Sequence, residues 1–223
     1  MEKIQVDNEV ARLRILKAAH EGKRFALQDA VTFQYPKRIQ SLEKELQLLQ
    51  KDLERRNQAM EVQPGFAITL QGKVYEKHKE AGEVLRGIIE GGTAFTRHEV
   101  GMYKGFQVSV QNDMLGPILF LQGEKEYSVE LKSSDSGNMV RIENRLNALD
   151  KAVEDVQKEI KTCENEIKNA KQEYEKPFPY EELLKENITR QMEIDAELEI
   201  KDQEECVEVQ EETKNLPCQT AVR

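Results

Sequence analysis

The sequence predicts an α+β fold, in which an antiparallel intramolecular coiled coil carries a small antiparallel-sheet head inserted between its helices. Residues 36–61 and 139–174 each place apolar side chains at alternating steps of three and four, the heptad spacing of a coiled-coil helix. Residues 65–135 are rich in glycine and alternate apolar with polar side chains, which is typical of strands. Because a small inserted head returns the chain close to where it left, we expect the two flanking helices to run antiparallel.

The composition also favours long solvated helices. Of the 223 residues, 34% are charged and only 6% are aromatic, and there is no tryptophan. A heptad seam needs few core residues, so this composition suits coiled-coil helices better than one large globular core. Residues 177–223 hold 13 acidic and 5 basic residues and so carry −8 of the net charge of −9. The rest of the chain is nearly neutral, so the acidic pI is weak evidence against nucleic-acid binding.

The N-terminal region, residues 1–63, is predicted to contain a helix and the first coiled-coil arm. A helix is expected over 7–32, capped by Asp7 or Asn8 and broken around Gly22. Pro36 suits the first turn of the next helix. Its seam has one polar position, Arg56. The apolar seam positions are Tyr35, Ile39, Leu42, Leu46, Leu49, Leu53 and Met60.

The second arm, residues 136–176, has the longer seam. Eleven consecutive positions alternate steps of three and four: Met139, Ile142, Leu146, Leu149, Val153, Val156, Ile160, Cys163, Ile167, Ala170 and Tyr174. Its extra turns need a further partner, which the helix over 7–32 is placed to supply. A homodimer through the same two seams is the alternative arrangement, so the chain is expected to be a monomer or a homodimer.

The head, residues 64–135, is predicted to contain five strands and one helix. Strands are expected over 66–70, 73–75, 106–110, 118–121 and 127–131, with a helix over 76–90. Most of the strands are joined by short turns and should therefore be antiparallel. His98 is expected to lie in a loop.

The C-terminal part is predicted to contain a short helix within residues 177–200, running from Tyr180 to about Leu198. Residues 201–223 are acidic, contain few apolar residues and show no clear period. We expect them to form a disordered tail.

No catalytic, metal or cofactor site is predicted. His20 lies on a helix stripe, His78 among charged neighbours and His98 beside Arg97, and no serine or cysteine stands in a recognisable nucleophile setting. The three cysteines are widely spaced and form neither a disulfide framework nor a zinc motif. Neither glycine-rich nucleotide fingerprint is present. The chain is therefore expected not to be an enzyme and to use no cofactor.

A binding surface on the head is the remaining candidate site. Basic residues of the head, with Arg55 and Arg56 where the first arm enters it, would bind phosphate if they gathered on one face. The segment 101–106 adds aromatics beside a base, which suits nucleobase stacking or, alternatively, a strand with Tyr103 and Phe106 in the core. Glutamates lie between these bases in the sequence. They favour the alternative that the bases belong to a solvated surface of mixed charge rather than to a phosphate-binding face. The candidate residues are Lys73, Lys77, Arg97, Tyr103, Lys104, Arg55 and Arg56.

Several segments, taken in order, resemble a known family. They are 12–18, 35–39, 72–75, 80–83, 101–106, 137–144 and 177–183. Together they are similar to the C-terminal region of very large helicase–DNA methyltransferase proteins carried by conjugative elements and phages. Motor and methyltransferase motifs are absent from this chain, so the resemblance implies neither ATPase activity nor methyl transfer. It implies a mobile-element setting.

Two functions follow as expectations. The chain is expected to be a non-catalytic inhibitor of a host defence system, of the anti-CRISPR type, that binds a nuclease or nucleoprotein. The alternative is a DNA-binding accessory module of a helicase or methyltransferase system. A passive spacer is a third, structural possibility. The polar N-terminus and the lack of any apolar run of about 18 residues predict no membrane association and a cytoplasmic location.

Overall fold

The structure is a computed structural model that describes residues 2–214, with side chains described as far as residue 201. The helices are α1 (Glu2–Asp29), α2 (Tyr35–Val62), α3 (His78–Glu90), α4 (Asp135–Tyr174) and α5 (Glu181–Lys214), with a π-helix over Ala30–Gln34. The strands are β1 (Ile68–Leu70), β2 (Lys73–Tyr75), β3 (Arg97–Tyr103), β4 (Phe106–Asp113), β5 (Gly116–Gln122) and β6 (Glu126–Glu130). Two compact units arise: residues 33–167, and the described residues up to Thr32 together with those from Lys168 onward.

Residues 33–167 form the sheet unit, built on one six-stranded antiparallel sheet. The strand order is β2-β1-β3-β4-β5-β6. Two-residue turns close two of the hairpins, at Gln71-Gly72 and Lys104-Gly105. All four of these residues have positive φ, as a type I′ turn requires. The mixed helix-and-sheet class expected from the sequence is confirmed.

Strand β3 corrects the sequence prediction, which gives five strands and places His98 in a loop. The structure has six strands, and His98 lies within β3. A β-bulge between Glu99 and Gly101 interrupts the alternation that would have revealed the strand. Gly101 is needed there because a Cβ atom would lie 1.8 Å from the Thr69 carbonyl oxygen.

One face of the sheet packs on helices and forms the core of the sheet unit. Tyr103 and Phe106 are buried in it, which confirms the core interpretation of the 101–106 segment. Strand side chains of the core include Ile68, Leu70, Val108, Val110, Leu119, Leu121 and Val129. Helix side chains of the core include Leu49, Leu85, Met139, Ile142, Leu146, Leu149 and Val153.

Helices α2 and α4 are linked in antiparallel order within the sheet unit. Arg38, early in α2, pairs with Glu159, whereas Arg56, late in α2, pairs with Asp150 and donates to the Leu146 carbonyl. Leu46 and Leu53 of α2 pack against the core that holds Leu149 and Val153 of α4. The antiparallel direction expected from the sequence is therefore present.

The other unit pairs α1 with α5, also in antiparallel order. Lys3 pairs with Asp195, and Lys17 pairs with Glu181. A small apolar cluster of Val10, Leu13 and Leu184 lies between the two helices. The predicted break at Gly22 is wrong, because α1 continues to Asp29.

The end of α4 lies against α1 in the same unit, as the length of its seam predicts. The Arg24 guanidinium donates to the Tyr174 carbonyl at 3.1 Å and stacks 4.6 Å from the centre of that ring. The last helix is longer than predicted: α5 continues past Leu198 to Lys214. The predicted disordered tail therefore begins as helix, and residues 215–223 lie outside the described residues.

No described helix combines the length and the apolar content that a membrane crossing requires.

Candidate functional site

One face of the sheet lies outside the helix-packed core of the sheet unit, and we call it the open face. Residues paired across antiparallel strands share a face, so the register fixes its members. Its apolar and polar members are Thr69, Val74, Met102, Gln107, Ser109, Gln111, Ile118, Phe120, Gln122 and Ser128. Its charged members are Arg97, Glu99, Asp113, Glu126 and Glu130. Val74 and Met102 are about half exposed, at 51% and 45%.

The Arg97 side chain extends from the first residue of β3 across the open face toward β5 and β6. Its guanidinium lies 4.2 Å from the centre of the Phe120 ring. Its Nε donates to Ser109 Oγ at 2.6 Å, and its Nη1 pairs with Glu126 at 2.6 Å. Three restraints hold the Arg97 side chain flat against the sheet. The open face therefore presents a fixed arginine–aromatic centre surrounded by glutamines and serines.

The charge of the open face is negative. Arg97 is its only cation, against the four acids Glu99, Asp113, Glu126 and Glu130, so the face carries −3. Phosphate-binding surfaces concentrate lysine and arginine. This face lacks that excess, and its phenylalanine, methionine and arginine side chains are of the types enriched in protein interfaces.

Four of the seven candidate residues come together where α2 ends beside the β3–β4 hairpin. Arg56, Tyr103 and Lys104 line a cavity of about 110 Å³ whose wall also includes Glu143. Arg55 lies on the other side of the same helix end, where its Cγ approaches the backbone of Gly105.

Each cation of this group has a partner within the chain. Arg56 is buried and bonded to Asp150, and Arg55 pairs with Glu124 at 3.0 Å. Lys104 Nζ donates to the carbonyls of Gln63 and Gly65, and burial lowers the pKa of its amine. Burial also raises the pKa of Tyr103 above its usual range. The cluster ties the end of α2 to the hairpin.

The other three candidates lie elsewhere on the sheet unit. Lys73 lies over the Tyr75 ring at 5.3 Å on the edge strand β2. Lys77 pairs with Glu80 in the first turn of α3, and this hydrogen bond raises the pKa of the lysine. Arg97 lies on the open face, at the end of β3 opposite to Tyr103. The seven residues therefore do not form one continuous surface.

The histidines are separated from one another. His20 lies 5.6 Å from the Phe178 ring, and His78 stacks 4.0 Å from Phe66 and contacts Glu143 at 2.7 Å. The Nε2 atom of His98 is buried without a hydrogen-bond partner. Among residues 2–201, no three histidine, cysteine or acidic side chains cluster as metal ligands. Cys163 is buried, as its seam position predicts.

Asp52 accepts several buried hydrogen bonds that the sequence does not predict. It is fully buried on α2 and accepts bonds from the backbone amides of Glu124 and Lys125 and from the Tyr127 hydroxyl, at 2.7, 2.9 and 2.7 Å. Its position beside the heptad seam ordinarily points to solvent. No signal in the sequence distinguishes it from the exposed acids of the same helix.

No protein-family model, curated protein sequence or solved structure matches this chain. A function for this chain therefore has to be inferred from the geometry of its described residues. It presents a fixed, acidic, partly apolar sheet face and a set of cations already committed to partners within the chain.

Proposed function

We propose that the chain is a non-catalytic protein-binding module whose contact surface is the open face. One observation carries the proposal: one face of the six-stranded sheet packs on helices and the other lies outside that core, with the Arg97 guanidinium fixed over Phe120. Arginine and aromatic side chains at the centre of a patch are typical of the residues that dominate binding energy. The glutamines and serines around them can form hydrogen bonds with a protein partner. Because these side chains are uncharged, forming those bonds does not require the desolvation of a charge.

The electrostatics favour protein over nucleic acid as the partner. Nucleic-acid affinity comes largely from cations that neutralise phosphates. On the open face the acids outnumber the single arginine, and at the end of α2 the cations Arg55, Arg56 and Lys104 already have partners. A phosphate group would have to displace these partners in order to bind. The free energy of nucleic-acid binding would therefore be less favourable than at unpaired cations.

The narrower proposal is an inhibitor that binds a host defence nuclease or nucleoprotein. The resemblance to a region of mobile-element proteins supports this setting, and the acidic residues 177–223 support contact with a basic channel. In this proposal α2 and α4 form an antiparallel coiled coil that carries the open face to its target. The protein would act in the cytoplasm, where such nucleases cleave.

The test is a pull-down from a host lysate with a charged substitution on the open face. Ser128 is exposed on β6, so Ser128→Arg adds a long cation to the face without filling the core. The matched control is Ser41→Arg, at an exposed position of α2. We expect a protein partner that survives nuclease treatment, is lost with Ser128→Arg and is kept with Ser41→Arg. Equal capture by both variants would contradict the open face as the contact surface.

The alternative function, a DNA-binding accessory module, is favoured by the convergence of Arg55, Arg56 and Lys104 at the end of α2. Its signature is binding to duplex DNA that weakens steeply with salt and is lost with Arg55→Ala combined with Lys104→Ala. Loss of all captured partners after nuclease treatment, together with such binding, would replace the protein-binding proposal with this one.

A further inference from the structure

Helix α1 has a second apolar stripe that no described residue covers. Its members are Ile4, Ala11, Ile15, Ala18, Gly22 and Phe25, and all are exposed. Ile4, Ile15 and Phe25 are 65%, 71% and 74% exposed. We call this stripe the outer face of α1. At about 100° per residue it lies nearly opposite Val10 and Leu13, which pack against α5.

The outer face repeats with the spacing of a coiled-coil seam. Steps of four and three connect Ile4, Asn8, Ala11, Ile15, Ala18, Gly22 and Phe25. None of these seven positions holds a charged residue, in a chain that is 34% charged. A solvated helix face of this composition would ordinarily contain lysines and glutamates. The stripe therefore has the composition of a helix-packing face rather than of a solvated face.

The outer face is complementary to itself in the antiparallel sense. When two copies of α1 run antiparallel, a register with Ile15 opposite Ala18 of the second copy also places Gly22 opposite Ala11 and Phe25 opposite Asn8. Each larger side chain then faces a smaller one. Gly22 has open space around the position of a Cβ atom, so a facing side chain can approach it closely.

The charges flanking the outer face fit the same register. Arg14 and Glu21 border the stripe on one side, and neither makes an ion pair or hydrogen bond with another described residue. In the antiparallel register Arg14 of each copy faces Glu21 of the other, so two ion pairs form across the interface. In a parallel dimer these positions would face Ala19 and Ala26 instead.

We propose that α1 mediates a reversible antiparallel homodimer through its outer face. The stripe is roughly 33 Å long, and with a contact strip about 10 Å wide on each copy it buries roughly 700 Å² in total. This area is below that of a standard stable interface, so we expect a weak dimer that dissociates on dilution. The inference does not depend on the open face of the sheet.

Sedimentation velocity of the full chain tests this proposal, over about 1 µM to about 300 µM. We expect the mass to rise from 25.8 kDa toward twice that value with concentration. Ile15→Glu should weaken association more than tenfold. The matched control Met192→Glu, at a position of α5 that is 67% exposed, should leave it unchanged. A chain that stays monomeric throughout, or an Ile15→Glu variant that dimerises like the parent, would overturn the proposal.

A charge exchange tests the orientation. Arg14→Glu and Glu21→Arg should each weaken the dimer severalfold, since each places like charges opposite one another. The double variant should restore association, because the two ion pairs re-form with their signs exchanged. Failure of the double variant to recover, with circular dichroism unchanged, would exclude the antiparallel register.

Discussion

The Asp52 carboxylate of α2 accepts a 2.7 Å hydrogen bond from the Tyr127 hydroxyl of β6, 75 residues away in the sequence. The same carboxylate receives the amides of Glu124 and Lys125, so one buried acid closes the β5–β6 turn onto the helix. Backbone amides that would otherwise be buried without partners are thereby satisfied. The link joins α2 to the edge strand β6 of the sheet.

Removing this acid should destabilise the sheet unit strongly. Asp52→Ala leaves two amides and a buried hydroxyl without their acceptor, and we expect a loss of about 3 to 5 kcal/mol in the free energy of unfolding. Glu54→Ala, at an exposed position two residues away, should cost less than about 0.5 kcal/mol. Urea denaturation of both variants measures the difference. Similar midpoints for the two would show that Asp52 carries no such role.

Gly123 should tolerate no side chain. A Cβ atom there would lie 2.2 Å from Asp52 Oδ1 and 2.6 Å from the Phe106 ring, both held in the core. We expect Gly123→Ala to cost more than about 2 kcal/mol, because neither neighbour has space to move.

The control for this substitution is Gly87→Ala. Gly87 lies within α3 with no atom close to the position of its Cβ, so alanine should stabilise the protein by about 0.5 to 1 kcal/mol. Thermal unfolding should therefore shift in opposite directions for the two variants. A shift in the same direction would contradict the close packing at Gly123.

The Arg56–Asp150 pair should respond asymmetrically to truncation. The Arg56 side chain is only 8% exposed, whereas that of Asp150 is 59% exposed. Asp150→Ala leaves a buried guanidinium short of its counter-ion and should cost about 1 to 3 kcal/mol. Arg56→Leu places an apolar side chain at the one polar position of the heptad seam, and the exposed Asp150 is then solvated by water. We therefore expect this substitution to lower the free energy of unfolding only slightly or to raise it.

Chemical denaturation at neutral pH compares the two variants. Acid adds a second test: the hydrogen bond from Arg56 lowers the pKa of Asp150. The ion pair therefore contributes fully to the free energy of unfolding at pH values above the ordinary carboxyl pKa. This contribution is lost as the pH falls through the lower pKa that Asp150 has in the folded protein. A larger cost for Arg56→Leu than for Asp150→Ala would reverse the expected order.

The periodic parts of this fold could be predicted from the sequence, and the irregular parts could not. Heptad spacing located α2 and α4 because their seams repeat over many turns, and alternation located β4, β5 and β6. The bulge at Gly101 concealed β3, since the extra residue moves the following side chains out of phase. The helical continuation through Gly22 was missed because glycine lowers helix propensity without forbidding the helix.

The site was less predictable for a different reason. Residue type and position identify Arg55, Arg56, Tyr103 and Lys104 as candidates, but only coordinates show that they lie together and that each cation is bound internally. The open face consists of ordinary strand residues, whose outward direction depends on which face the helices cover. Likewise, the burial of Asp52 depends on a turn 72 residues further along the chain.

The buried tyrosines provide a last prediction, on stability at high pH. Burial, and for Tyr127 also the hydrogen bond to Asp52, raises the pKa of Tyr103 and Tyr127 above the ordinary value near 10. Above that value the unfolded chain releases two protons that the folded protein retains. Their contribution to stability is therefore complete below about pH 10 and is lost as pH rises further.

Spectrophotometric titration of tyrosinate measures this directly. Tyr103 and Tyr127 should ionise only together with loss of the circular dichroism signal. Tyr103→Phe should reduce this late-ionising class by one residue, whereas the control Tyr180→Phe, at a 47% exposed side chain, should leave the class unchanged. If no tyrosine ionised as late as the loss of the helical signal, the hydroxyl of Tyr127 would not be buried against Asp52.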